Sequence, residues 1–387
     1  MRVSSSLRLL VGGGVAAVAL VSASPAFTGG GGSPGAVYVQ TNTAPVNYVQ
    51  VFTRGSDGAL TTAGRYATGG SGNPAANPPL GIPFLDSAGS VTLSDGHGRS
   101  HRRGRLLFAV NAGDNTVSSF SVGKDGLQLV DTEPTYGSRP ISVTTSDDLV
   151  YVLNSTASSA SIAGFKVSPR GDLTLIPGSV RPTHDPTHDL PAQIEFDAHG
   201  NFLAVSDRGT DTIDTFAIGK DGAARPAVPQ ASNAQTPYGI GFTSRDLMIV
   251  ANENFSDVFA STVSSYDARG GSIASVSVQS ADSGAACWVA ITKNGKFVYV
   301  TSPFSGQIVG FSIGAGGTLS PVVHLDTPGT AVLDESLSED GRFLYVLSSN
   351  GFASDQVLTY RVNTDNTLTK IGATALIEGS AAGLAAW

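Results

Sequence analysis

The amino-acid sequence predicts an all-β fold, a seven-bladed β-propeller with four antiparallel strands in each blade. Three observations support this prediction: a short apolar run that occurs seven times, an alternating run after each copy, and glycine-containing turns between the runs. The 387 residues include 47 glycines and 20 prolines but are only 14% charged, which favours many short elements joined by turns. No window shows the sustained 3.6-residue periodicity of a helical repeat.

The apolar run is the first repeated element, and we interpret it as strand B of each blade. It recurs at intervals of 43 to 52 residues after a longer first interval of 71 residues, which is the range of propeller blades. Its seven copies are residues 37–39, 107–110, 150–153, 202–205, 247–250, 297–300 and 343–346.

The second repeated element alternates apolar and polar residues and ends on an aromatic, which indicates a strand, C. The seven aromatics are Phe52, Phe120, Phe165, Phe216, Tyr266, Phe311 and Tyr360. Glycine-containing turns follow at 57–58, 125–126, 221–222 and 316–317, and lead into strand D. Turns at 95–96, 199–200, 294–295 and 340–341 separate a preceding strand A from strand B.

The two ends of the chain predict how the ring closes. Strand 37–39 has no strand A before it, and residues 380–387 form an A-like strand with no strand B after it. We therefore expect the first and last segments to pair within one blade, which removes exposed sheet edges.

The N-terminus predicts export. Residues 1–26 combine early arginines, an apolar stretch and a small-residue cleavage site, as in a signal peptide, and residues 27–36 form a glycine-rich linker. The thirteen apolar residues 9–21 are too few for an ordinary membrane span, although an uncleaved anchor remains an alternative. We predict a propeller at 37–387, secreted or otherwise extracytoplasmic, without a membrane span in the mature chain.

Charge and cysteine content exclude several classes of function. The net charge of −8 argues against a protein that binds nucleic acid through its phosphates. Cys287 is the single cysteine, so an intrachain disulfide and a cysteine-cluster metal site are excluded. We expect Cys287 to be buried and inert, beside Trp288 on a strand A.

Strand direction assigns each loop to one mouth of the central channel. The B–C and D–A loops share one mouth, and the short A–B and C–D turns share the other, so we expect a site at the first. The B–C loops carry Asn111, Asp114, Asn154, Asp207, Arg208, Asn252 and Glu253, and the D–A loops carry Arg139, His184 and His188. Each Asn or Asp in these loops has an alternative interpretation, namely that its side chain caps a turn and has no role in a site.

Two further segments contain histidines. In residues 184–189, histidines and carboxylates together could hold a divalent cation or bind substrate. Pro186, however, breaks any helix that would align the two imidazoles. We therefore interpret the segment as a solvated loop and assign no metal ligand. The basic segment 96–105 lies in an overlong first unit, and we interpret it as an exposed hairpin tip, with docking to an anionic polymer as the alternative.

The repeats resemble the β-propeller lactonase family, which includes 6-phosphogluconolactonase-like and carboxymuconate-lactonizing proteins. The resemblance rests on the Asn-containing passage into strand C, the aromatic and the Asp-Gly turn, and it covers 37–387; segments 137–143 and 286–290 are similar to a secreted bacterial branch. It implies opening or closing of a lactone ring without a cofactor, with a small-molecule lactone or other ligand in the channel. We expect a monomer.

The resemblance also implies site residues. The family's glutamate lies in an Asn–Glu pair after a strand B, here Asn252-Glu253. Where the family has a histidine, an arginine and an Asn–Arg pair, this chain has Ala192, Tyr238 and Ser302-Pro303.

We predict Glu253 as the catalytic acid or base. The predicted substrate-binding residues are Asn252, Arg139, Arg208, Asn111, Asn154 and His188, with the two arginines as donors to the oxyanion. A non-catalytic propeller that binds a ligand or protein is the competing hypothesis, and a structural role in the cell envelope is a third.

Overall fold

The computed structural model describes residues 35–73, 85–94, 104–156, 158–327, 331–350, 353–377 and 381–387. The predicted signal peptide, nearly all of the linker and the histidines of the basic hairpin lie outside these residues. Within the described part of the chain, no helix is long and apolar enough to cross a membrane.

The described residues form 29 strands, which we number in chain order. The first half contains β1 Ala36–Gln40, β2 Tyr48–Arg54, β3 Leu60–Ala67, β4 Val91–Leu93, β5 Leu106–Asn111, β6 Thr116–Gly123, β7 Gly126–Pro134, β8 Pro140–Ser146, β9 Leu149–Thr156, β10 Ser159–Val167, β11 Leu173–Leu175, β12 Arg181–Pro182, β13 Pro191–Phe196, β14 Phe202–Asp207, β15 Thr212–Ala217 and β16 Val228–Ala231.

The second half contains β17 Pro237–Phe242, β18 Leu247–Asn252, β19 Thr262–Asp267, β20 Ala274–Ser280, β21 Trp288–Ile291, β22 Phe297–Ser302, β23 Gln307–Ile313, β24 Leu319–Asp326, β25 Ala331–Leu337, β26 Phe343–Asn350, β27 Ala353–Val362, β28 Leu368–Ala375 and β29 Gly383–Ala386. Two single-turn 3₁₀ helices lie at Val258–Ala260 and Arg269–Gly271.

The strands form seven antiparallel sheets, which confirms the predicted seven-bladed propeller. From the channel outwards, the blades are β29-β1-β2-β3, β4 to β7, β8 to β11, β13 to β16, β17 to β20, β21 to β24 and β25 to β28; we call them blades 1 to 7. Blade 3 has a fifth strand, β12, which also pairs with β10. Consecutive innermost strands contact one another around the channel.

The ring closes through the two chain ends, as the sequence predicts. In blade 1, β29 pairs antiparallel with β1, with Ala386 opposite Val37 and Gly383 opposite Gln40. The backbones of Ala36 and Trp387 exchange two hydrogen bonds of 3.2 and 3.0 Å. The last strand of the chain therefore supplies the inner strand of the first blade.

Burial of the repeated aromatics shows why this sequence forms blades. All seven aromatics of the strand C positions are at most 1% exposed. Each such ring contributes roughly 1.5–3 kcal/mol of hydrophobic free energy when it leaves water. Because the buried faces of neighbouring blades share the same apolar clusters, no blade buries its surface alone.

Hydroxyl groups join neighbouring blades at the C–D turns. Tyr345 of blade 7 donates to the carbonyl of Gly58 in blade 1 at 3.2 Å, and Tyr151 of blade 3 donates to that of Gly222 in blade 4 at 2.7 Å. Both glycines have positive φ angles, 91° and 82°, which the Asp-Gly turn signal predicts.

Removal of the last ten residues, 378–387, tests the closure. Without β29, the edge of β1 and the apolar residues behind it become exposed, so we expect the melting temperature to fall by on the order of 10 °C or more, with aggregation. The matched control is Ile377→Ala, just before the deletion, because this side chain is already 56% exposed. A truncated chain that melts like the full-length protein by circular dichroism contradicts the closure.

Candidate active site

A buried ionic cluster lies at the mouth formed by the B–C and D–A loops. The guanidinium of Arg208 donates to both carboxylate oxygens of Asp86, at 3.1 and 3.0 Å, and its Nη1 lies 3.5 Å from Oε2 of Glu253. The side chains of these three residues are at most 5% exposed. One positive charge therefore faces two carboxylates away from water.

Repetition of the blade explains why two members of this cluster meet. Arg208 directly follows β14 of blade 4, and Glu253 directly follows β18 of blade 5, so both begin a B–C loop at the same mouth. Tyr238 and Phe255 flank the guanidinium, with ring centroids 5.0 and 5.7 Å from its Cζ. Such aromatic contacts favour a desolvated arginine.

Asp86 belongs to a segment that crosses the channel mouth, residues 85–90. This segment contacts the inner strands or loops of blades 3, 4 and 6. The contacts are Arg139 Nη2 to the Leu85 carbonyl at 2.8 Å, Ser87 Oγ to the Ile141 carbonyl at 2.8 Å, Ala88 N to the Ala192 carbonyl at 3.1 Å, Val143 N to the Gly89 carbonyl at 2.8 Å and Trp288 Nε1 to the Ser87 carbonyl at 3.2 Å. Residues 85–90 therefore cover the mouth at which the sequence predicts a site.

Burial sets the protonation of Glu253. Desolvation raises the pKa of this carboxyl to about 7, against the lowering effect of Arg208. The Sγ of Cys287 lies 3.2 Å from Glu253 Oε1 and also lowers that pKa. For Arg208, burial favours the neutral form, but Asp86 and Glu253 outweigh it and raise the pKa above its ordinary value. Glu253 is therefore divided between its charged and neutral forms near neutral pH.

The structure brings only some of the predicted site residues together. Glu253 and Arg208 are in contact. Arg139 lies near the same cluster: burial lowers the pKa of its guanidinium, and the charge of Asp86 opposes this effect more weakly. His188 lies apart from them, with a side chain that is 76% exposed and an Nδ1 3.0 Å from a carboxylate oxygen of Asp185.

The three predicted asparagines are buried within their own blades or between neighbouring blades. Asn252 donates to Ser264 Oγ at 2.9 Å, and Asn111 donates to the equivalent Ser118 Oγ at 2.8 Å. Asn154 donates to the carbonyl of Thr135 at 3.2 Å. These amides connect strand B to strand C or to a neighbouring loop.

Three residues of the cluster were not predicted from the sequence. Asp86 lies in a long connection whose path no repeat pattern specifies. Tyr238 is the second residue of β17 and Cys287 directly precedes β21, and the two residues are 0% and 2% exposed. The buried state of Cys287 agrees with the expectation, but its contact with Glu253 depends on the packing of blade 5 against blade 6.

Open space lies at the opposite mouth, formed by the A–B turns. A cavity of about 750 Å³ there has Arg105, Glu195, His199 and Lys293 among its lining residues. A second cavity of about 270 Å³ lies deeper in the channel beside Asp334 and Glu335, where burial raises the pKa of both carboxyls. The open volume and the arginine–glutamate cluster therefore lie on different sides of residues 85–90.

Comparison with known proteins adds family information to this geometry. A family model described as "Lactonase, 7-bladed beta-propeller" matches residues 99–381. No curated protein matches the sequence.

Several solved structures share the fold at low sequence identity. The periplasmic gluconolactonase of Pseudomonas aeruginosa is 19% identical, with 91% of this chain and 98% of that chain covered and a TM-score of 0.67. A Lactobacillus plantarum protein is 16% identical over 92% and 99% of the two chains, with a TM-score of 0.69. A candidate 6-phosphogluconolactonase from Bacteroides fragilis is 17% identical over 92% and 98%, with a TM-score of 0.65.

Replacement of Arg208 by Met tests the ionic cluster. The variant leaves the buried carboxylates of Asp86 and Glu253 without a cation, so we expect a loss of about 3–5 kcal/mol in the free energy of unfolding. The double variant Asp86→Leu/Arg208→Met should recover a large part of that loss.

Urea unfolding of both variants measures these changes. Arg245→Met is the control, because Arg245 is exposed, and it should stay within about 0.5 kcal/mol of the wild type. The cluster is not a stabilising interaction if Arg208→Met unfolds at the wild-type urea concentration.

Proposed function

The chain belongs to the seven-bladed β-propeller lactonase family, and we propose that it is an extracytoplasmic lactonase that hydrolyses a lactone at the mouth closed by residues 85–90. One observation carries the proposal: Glu253 is buried beside the guanidinium of Arg208, with its pKa raised to about 7. A carboxylate with that pKa can accept a proton near neutral pH and can return it within the same reaction.

The proposed reaction consumes one water and one lactone. Glu253 removes a proton from the water, whose oxygen forms a bond to the lactone carbonyl carbon. The negative charge that develops on the carbonyl oxygen is stabilised by the guanidinium of Arg208 or Arg139. The bond between this carbon and the ring oxygen then breaks, and the proton held by Glu253 passes to the leaving oxygen, which gives a hydroxy acid.

Substrate entry requires an exchange at Arg208. In the structure, the Asp86 carboxylate occupies both outer nitrogens of the guanidinium, and Glu253 is 3% exposed. We propose that residues 85–90 withdraw when a lactone enters, and that the carbonyl oxygen of the lactone takes the place of Asp86. In the transition state the carbonyl oxygen carries negative charge and takes the place of the Asp86 carboxylate. The buried guanidinium of Arg208 therefore keeps an anionic partner.

The alternative is a propeller that binds a ligand without catalysis. Two features favour it: the contacts of residues 85–90 with three blades, and the alanine at position 192, where the family resemblance implies a histidine. The open cavity of about 750 Å³ at the opposite mouth would then be the binding site.

Export is a separate part of the proposal. It is supported by the signal-peptide pattern of residues 1–26 and by the periplasmic name of the Pseudomonas neighbour. N-terminal sequencing of the protein recovered from outside the cytoplasm should show cleavage after Ala26. Unprocessed protein found only in the cytosol contradicts export but not the lactonase proposal.

The pH dependence of lactone hydrolysis tests the role of Glu253. Because the carboxylate must be deprotonated to act as a base, kcat/KM should fall about tenfold per pH unit below a pKa near 7. Glu253→Gln should remove this acid limb together with at least about 99% of the activity. The control is Glu133→Gln on the outer strand of blade 2. Hydrolysis of a lactone panel at equal rates by wild type and Glu253→Gln would falsify the proposed base.

Cys287→Ala tests the environment of that base. Removal of the thiol takes away a group that lowers the pKa of Glu253, so the acid limb of kcat/KM should move to higher pH while the maximum rate at high pH stays near that of the wild type. An acid limb that moves to lower pH, or does not move, shows that the thiol has no such effect.

A further inference from the structure

A second buried polar cluster lies at the edge of blade 4, away from Glu253. It is formed by His184 and Asp189, from the loop between β12 and β13, and by Asp207 and Asp214, from β14 and β15. One ligand atom from each of His184, Asp189 and Asp207 lies within 4.8 Å of the others. His184 Nδ1 is 2.8 Å from Asp214 Oδ1 and 3.7 Å from Asp189 Oδ1.

Each carboxylate of this cluster accepts hydrogen bonds from backbone N–H groups, and Oδ2 of Asp207 also accepts from the hydroxyl of Thr210. Asp214 Oδ2 accepts from the His184 backbone at 2.8 Å, Asp189 Oδ2 accepts from the Asp185 backbone at 3.3 Å, and Asp207 Oδ1 accepts from the backbones of Leu190 and Gly209 at 2.7 and 2.9 Å. These bonds hold each carboxylate in a fixed orientation. The loop 183–190 is thereby fastened to blade 4.

Some side-chain nitrogen and oxygen atoms of the cluster are left without a hydrogen-bond partner among the described residues. Among the described residues, no hydrogen bond of ordinary geometry reaches Asp189 Oδ1, Asp214 Oδ1 or His184 Nδ1. The side chains of Asp189 and Asp214 are only 0% and 1% exposed, so water outside the protein does not solvate them. Asp189 Oδ1 is thus a buried acceptor without a donor, which is costly, and it lies 3.7 Å from His184 Nδ1. His184 Nδ1 and Asp214 Oδ1 are 2.8 Å apart, so they satisfy each other only when Nδ1 carries the proton.

The other blades show that the carboxylates are not required by the fold. In blades 2 and 5, the positions equivalent to Asp207 and Asp214 are Asn111 with Ser118, and Asn252 with Ser264. Each of these pairs forms a neutral amide-to-hydroxyl hydrogen bond, at 2.8 and 2.9 Å. Blade 4 has two aspartates instead, and adds Asp189 and His184 from the neighbouring loop.

The electrostatics agree with a missing positive charge. Asp189, Asp207 and Asp214 are all nearly inaccessible to solvent, at 3%, 1% and 0% exposed. The guanidinium of Arg208, next to Asp207 in the chain, is directed into the other cluster, towards Asp86 and Glu253. Three carboxylates therefore share one imidazole.

We propose that His184, Asp189 and Asp207 bind a divalent cation of the first transition row, with Zn²⁺ as the best match and with Asp214 as the carboxylate that orients the imidazole of His184. One imidazole nitrogen with carboxylate oxygens is a ligand set for Zn²⁺ or Mn²⁺, whereas Ca²⁺ prefers oxygen ligands alone. The cation fastens the loop 183–190 to the end of β14 and so positions Arg208, the next residue after Asp207. Arg208 also donates its backbone N–H to the carbonyl of Leu190 at 3.3 Å.

The proposed site differs from the sequence prediction for this loop. The sequence indicates a solvated loop without metal ligands, because Pro186 prevents a helix from aligning His184 with His188. The structure buries Asp189 and turns His188 to solvent. The carboxylates that face His184 come from the loop and from two strands, so no helix is needed.

Calorimetric titration of the chelator-treated mature protein with ZnCl₂, MnCl₂ and CaCl₂ tests the proposal. We expect one Zn²⁺ per chain, weaker Mn²⁺ and no comparable Ca²⁺ binding, and a melting temperature several degrees higher with Zn²⁺. The variant Asp207→Asn/Asp214→Ser copies the pairs of blades 2 and 5. It should bind Zn²⁺ more than about 100-fold more weakly, because loss of an outer-shell partner alone costs about 10–100-fold.

The same double variant separates a cation site from a structural network. With chelator, the double variant should have a higher melting temperature than the wild type, because it lacks two buried carboxylates. With Zn²⁺, the wild type should have the higher melting temperature. A double variant that melts below the wild type under both conditions contradicts the proposal.

Two single variants complete the test. His184→Ala should lose most Zn²⁺ affinity, whereas His188→Ala, at an exposed histidine, should keep it. Absence of Zn²⁺ binding to the wild type, or equal binding by wild type and His184→Ala, overturns the site. None of these measurements uses lactone hydrolysis, so they stand apart from the proposed activity.

Discussion

Pairing of β1 with β29 is the constraint on which the rest of the molecule depends. A blade buries its apolar faces only against two neighbours, so an open ring leaves two blades with exposed aromatics and a free sheet edge. Closure also fixes the channel, because the seven innermost strands then surround one axis. Each of these strands starts at the same mouth of the channel. The residues at the beginning of those strands, such as Ala192, Tyr238 and Cys287, thereby converge at one mouth.

The second organising feature is the charge of Arg208. A buried guanidinium needs anionic partners, and the chain supplies one from blade 5, Glu253, and one from the channel segment, Asp86. This requirement accounts for the position of residues 85–90 and for the burial of Glu253, and that burial raises the pKa of the carboxyl although Arg208 itself lowers it. It also connects the mouth to the proposed cation site, because Asp207 and Arg208 are consecutive residues that face different clusters.

The sequence predicts the parts of this structure that depend on repetition. The seven blades, the buried aromatics of strand C and the pairing of the chain ends all follow from patterns that recur along the chain. The position of Glu253 after a strand B also follows, because the repeat fixes which mouth a B–C loop reaches.

The path of residues 85–90 could not be predicted, since they lie in the one connection that has no counterpart in the other units. For the same reason the sequence gives no signal for Asp86. The hydrogen bonds of Asn111, Asn154 and Asn252 depend on side-chain direction, which the sequence does not specify, and in the structure these amides donate to neighbouring strands and loops. Asp207 and Asp214 become conspicuous only when the blades are superimposed through their strand registers.

A crystal structure of the Glu253→Gln variant soaked with a lactone that the wild type hydrolyses would test the central claim most directly. The account predicts intact lactone at the mouth of the B–C and D–A loops, with its carbonyl oxygen on the Arg208 guanidinium and the Asp86 carboxylate displaced together with residues 85–90. Lactone bound instead in the cavity between Arg105 and Lys293, with Asp86 still paired to Arg208, would contradict it.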